Sequence, residues 1–79
     1  MESYRFEMLT LEERGELVFR HAEFLISNVG YGSRPNLYAY EQLFIEVVIG
    51  HDSQYVESIE LVTYDQVSRF LNDIQLPST

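Results

Sequence analysis

From Asn36 to Ile49 the chain reads Asn-Leu-Tyr-Ala-Tyr-Glu-Gln-Leu-Phe-Ile-Glu-Val-Val-Ile, two runs of β-branched and aromatic residues parted by the polar pair Glu41-Gln42. That composition predicts two strands joined as a hairpin, around which the other elements must be placed. In the second run Leu43, Ile45, Val47 and Ile49 are uniformly aliphatic while Phe44, Glu46 and Val48 are mixed. Side chains alternate across a strand, so the aliphatic set is expected to face the core. The same reading puts Leu37 and Ala39 inward and Tyr38 and Tyr40 outward in the first strand. Neither Glu41 nor Gln42 favours positive φ, so a longer loop beginning near Tyr40, with a different register, stays open as an alternative.

Gly50-His-Asp-Ser-Gln54 is turn chemistry and leads into a third strand, Tyr55 to Val62, with Ile59 and Leu61 inward and Val56, Ser58, Glu60 and Val62 outward. Two capping boxes frame the sheet. Thr10-Leu-Glu-Glu13 opens a helix over residues 10–29, in which Leu11, Gly15, Val18, Ala22, Leu25 and Val29 share one stripe. Phe19 and Ile26 flank it on one side and Leu17 and Phe24, with His21 between them, on the other. This apolar arc is wider than one sheet face needs. Gly30 suits a C-cap, and Tyr31-Gly-Ser-Arg-Pro35 prevents the helix from resuming. Thr63-Tyr-Asp-Gln66 repeats the box and opens a helix over residues 63–75, with Tyr64, Val67, Phe70, Leu71 and Ile74 on one arc and Leu76-Pro77 as its stop. In residues 1–9, Tyr4, Phe6 and Met8 alternate with Arg5 and Glu7, the pattern of an arm or a short N-terminal edge strand.

The expected architecture is therefore a single α+β domain over residues 1–79: a two-layer sandwich of order α-β-β-β-α. Its three-stranded antiparallel meander spans residues 35–62 and carries two helices on one face. The succession Leu9-Thr-Leu-Glu-Glu-Arg14, Asn36-Leu-Tyr38, Phe44-Ile-Glu-Val-Val48 and Ile59-Glu-Leu61 resembles a group of short, uncharacterised bacterial proteins with this order, over residues 9–76. The group tends to carry a glycine between its first two strands, where this chain has Tyr40-Glu-Gln-Leu43. The resemblance implies no catalytic motif and no activity.

Composition narrows the function classes. There is no cysteine, which removes disulfides and thiolate chemistry. Thirteen acidic residues against five basic ones give a net charge of -8, which opposes a phosphate backbone, so nucleic acid is not an expected partner. No apolar run approaches the roughly 20 residues of a membrane span. The opening Met1-Glu-Ser-Tyr-Arg-Phe-Glu7 lacks the basic and apolar regions of a signal peptide, which makes the cytoplasm the expected location.

Reactive groups are scattered. His21 and His51 have no partner at metal-ligand spacing, and His51-Asp52 reads as a solvated turn. Gly30 and Gly32 follow a helix and precede a strand, the wrong order for a dinucleotide cradle, and none of the serines sits in a nucleophile elbow. No catalytic, metal-binding or cofactor-binding residue, and no cofactor, is expected. What stands out is an outer sheet face bearing Tyr38, Tyr40, Phe44, Val48, Val56 and Val62 around Glu46, more apolar surface than a solvated sheet carries. The first reading is a non-enzymatic interaction module that forms a homodimer through this face. The second is an acidic inhibitor or immunity-type protein that offers Glu12, Glu13, Glu16 and Glu23 to a basic partner protein. The weakest is an enzyme that uses Glu46 and Glu60 with the tyrosines at a dimer interface.

Overall fold

The computed structural model describes residues 1–27, 33–50 and 55–72. Along the chain these form α1 (Ser3–Glu7), α2 (Leu11–His21), β1 (Glu23–Ser27), β2 (Ser33–Tyr40), β3 (Leu43–Gly50), β4 (Val56–Val62) and α3 (Tyr64–Asn72). The strands form one antiparallel sheet in sequence order, β1-β2-β3-β4. The α+β class and the meander are those expected from sequence, with a fourth strand added. The expected C-cap at Gly30, the turn residues His51 to Gln54 and the Leu76-Pro77 stop lie outside the described residues.

Both capping boxes form. The Thr10 hydroxyl accepts from the Glu13 amide at 3.1 Å while the Glu13 carboxylate accepts from the Thr10 amide at 2.8 Å. At α3 the Thr63 hydroxyl accepts from the Gln66 amide at 3.2 Å, and the Gln66 side-chain oxygen accepts from the Thr63 amide at 2.8 Å.

The first long helix is shorter than its apolar stripe suggested. It ends at His21, because Ala22 turns to extended geometry (φ -81°, ψ 152°) and residues 23–27 join the sheet as its edge strand. Phe24, Leu25 and Ile26 are strand formers, and pairing with β2 satisfies the backbone groups on one side of the strand. The N-terminal segment differs too: residues 3–7 are a helical turn, not an extended arm. Tyr4 and Met8 lie four residues apart on its outer side, and Phe6 points inward and is fully buried.

Register corrects the face assignments. Tyr40 pairs with Leu43 and Tyr38 with Ile45, so Glu41-Gln42 is a two-residue turn, with Glu41 supplying the positive φ (53°) that such turns need at their first central position. Paired residues share a face, which puts Tyr38 and Tyr40 with the aliphatic set and moves Leu37 and Ala39 to the opposite side. In β4 an irregularity sets Val48 against Ser58 but Ile49 against Val56, so the extra residue Glu57 transfers Val56 to the face of Ile49.

The sheet has a core on each side, so the expected two-layer sandwich with both helices on one face is corrected: α2 and α3 lie on opposite faces. On one face α1 and α2 bury Phe6 and Val18 against Leu43, Ile45, Val47 and Ile59. On the other, Val67 of α3 is buried with Leu37, and Ile26, Phe44 and Val62 pack against this pair. A single residue, Thr63, separates β4 from α3, so the helix folds back onto the face to which Val62 already points.

Candidate functional site

The seven residues expected to share one outer face are divided between two. Tyr38, Tyr40 and Val56 pack against the larger core beneath α1 and α2. Phe44 and Val62 pack under α3. Glu46 and Val48 remain on the α3 face, both half-buried. Glu46 lies directly across from Glu60, but the Glu60 carboxylate accepts from Arg14 Nη1 at 3.3 Å. The open aromatic sheet face is thus replaced by two helix-covered ones. The reason is the tight turn: one residue of loop length decides which side of the sheet both tyrosines occupy.

The exposed aromatic surface lies elsewhere, where α2 meets β1. Phe19 of α2 and Phe24 of β1 both meet the Tyr38 ring, at centroid separations of 6.1 and 5.5 Å and interplanar angles of 79° and 70°. These are edge-to-face contacts, the favoured geometry for aromatic pairs. Phe19 and Phe24 keep 56% and 52% of their surface exposed, so about half of each side chain stays in water, and the adjoining Leu25 is exposed as well. Sequence reasoning took Phe19 and Phe24 as helix flanks. The Phe-Leu-Ile run was the available signal, since three strand formers in a row favour extended backbone.

Acidic groups border this surface. Glu12, Glu13, Glu16 and Glu23 are all exposed. Glu16 stands three residues before Phe19 on α2 and is its neighbour on the helix surface; Glu23 directly precedes Phe24 but points to the opposite, α3 face, with Ala39. Arg20 Nε pairs with Glu16 at 3.5 Å in an exposed contact of small energetic weight. Arg14 is drawn inward, its side chain only 14% exposed.

A groove of about 460 Å³ runs between α1, the end of the β3–β4 ladder and the start of α3, with Ser3, Glu7, Leu43, Phe44, Val62 and Tyr64 in its wall. Among the described residues no polar or charged residue is fully buried, although Arg14 Nε is enclosed without a hydrogen-bond partner, and no cluster of three or more His, Asp or Glu could hold a metal ion. No described helix is long and apolar enough to cross a membrane. Compared with known proteins, the chain matches no family model, no curated sequence and no solved structure.

Proposed function

We propose that this protein is a non-enzymatic binding module that captures a basic partner protein on the Phe19–Tyr38–Phe24 surface. The observation that carries the reading is the pair of half-exposed phenylalanines braced on one tyrosine. Held by edge-to-face contacts, such rings present apolar area with little rotamer freedom left to lose on binding, and aromatic residues are enriched at interface centres. The rim of Glu12 and Glu16, within a chain of net charge -8, selects a partner of opposite sign and speeds its approach. A second copy of the chain brings the same charge, which opposes self-association through this surface. The homodimer expected from sequence also loses the sheet face on which it depended, since Phe44 and Val62 are covered by α3.

The test places a photo-crosslinking benzoylphenylalanine at position 24, with position 57 on β4 as the control. The reading expects an adduct from position 24 alone, with a basic protein. Purified, that protein binds with an affinity that falls as salt rises and drops at least tenfold with Phe24→Ser. Adducts confined to a second copy of the chain, or a partner indifferent to Phe24→Ser, overturn it.

A further inference from the structure

The two edges of the sheet are treated differently. At β4, the Ile59 carbonyl accepts from Arg14 Nη1 at 2.7 Å, and both α1 and α2 contact the strand. At β1, no strand among the described residues pairs with the outer side. Edge strands are usually blunted by lysine, proline, charge, bulges or shortness. Of these β1 has its five-residue length, the charge of Glu23, and a register shift between Phe24 and Ile26; it contains neither lysine nor proline.

We infer that the basic partner docks as an extended segment, added antiparallel to β1 as a fifth strand. The inference rests on the docking surface proposed above and specifies how it is used. A strand laid along Glu23–Ser27 places alternate side chains on the two faces of the sheet. Those on the Phe24 side land on the aromatic surface, where an arginine stacks its guanidinium on a ring. Those on the other side lie along Glu23 and Ile26, because Glu23 pairs with Ala39 and Ile26 with Leu37, both on the α3 face. The code read is thus an alternation of arginine with aliphatic residues. The irregularity at Leu25 keeps the added ladder short, so main-chain bonds alone do not hold the segment and the contacts with Phe19 and Phe24 are required.

The probe is a blocked peptide of alternating arginine and valine, about eight residues long, within the usual strand length. Two further versions carry N-methyl groups on all arginines or on all valines, so that each removes the donors of one edge. Saturating peptide is expected to shift the ring resonances of Phe19 and Phe24 and to slow amide exchange within Glu23–Ser27 at least tenfold. One of the N-methylated versions is expected to lose most of its binding. Ring shifts with unchanged exchange and equal binding of all three peptides overturn strand addition and leave the docking surface standing. A peptide that does not bind, or that binds Phe24→Ser as tightly as wild type, overturns both, as does a particle mass that doubles without peptide.

Discussion

The guanidinium carbon of Arg14 lies 5.1 Å from the centroid of the Phe6 ring, while Nη1 donates to the Ile59 carbonyl at 2.7 Å and Nη2 to the Glu7 carbonyl at 2.9 Å. One side chain thereby joins α1, α2 and β4. Lysine offers a point charge in place of a planar fork and cannot make both carbonyl bonds with the same stacking. Arg14→Lys is expected to cost about 1–3 kcal/mol, the scale of a charged hydrogen bond in a mostly buried setting. Urea unfolding would show this as a lower midpoint at unchanged slope. A variant with the wild-type midpoint would mean that charge near Phe6 suffices.

Gly15 faces the sheet from the middle of α2. A methyl group built there meets Ile59 Cδ1 at 3.6 Å and the Phe19 ring at 3.7 Å, ordinary contact distances. Gly15→Ala should therefore stabilise the fold by about 0.5–1 kcal/mol, through helix propensity and a less flexible unfolded chain. Gly15→Leu should destabilise it by overpacking the same space. Thermal midpoints of the two variants that move in the same direction would contradict the packing described.

Glu41 holds φ at 53°, a region that non-glycine residues enter at a cost of about 1–2 kcal/mol. Glu41→Gly removes that strain and gives up the ion pair with the Met1 amine, which is worth little at a carboxylate 49% exposed. The expected net effect is a gain of about 1 kcal/mol, or about 4–8 °C in thermal midpoint for a domain of this size. A lower midpoint would mean that the turn depends on the Glu41 side chain.

The Thr63 hydroxyl is the N-cap of α3 and accepts from Gln66 at 3.2 Å. Thr63→Ala is expected to cost about 1 kcal/mol. Hydrogen exchange should locate the loss, with faster exchange at α3 and unchanged protection at Ile45 and Val47, which belong to the core beneath α1 and α2. Equal loosening at both places would show that the two cores open as one unit.

Legibility followed the range of the interaction. The capping boxes at Thr10 and Thr63 could be read because four adjacent residues supply every partner. The β2–β3 hairpin could be read from its composition, but the faces of Tyr38 and Tyr40 follow only once the pairing is fixed, because the two-residue Glu41-Gln42 turn sets Tyr40 opposite Leu43 and on its face. Phe24, Leu25 and Ile26 suited both a helical stripe and a strand, and only pairing with β2, itself remote in sequence, decides between the two. The extra residue at Glu57 has no local marker. The exposed aromatic surface was missed for the same reasons, since it depends on β1 being a strand and on Tyr38 lying on the α2 side.

The sequence-order pairing of the strands bears on how the chain reaches this structure. Each pair joins consecutive segments, so the sheet can close one hairpin after another, with loop-closure costs kept small. The Arg14 bond to Ile59, by contrast, joins residues separated by 45 positions. If the hairpins organise the folding barrier, docking of α1 and α2 follows it. Removing the Arg14 fork then accelerates unfolding and leaves the refolding rate almost unchanged, whereas altering the Glu41 turn changes refolding itself.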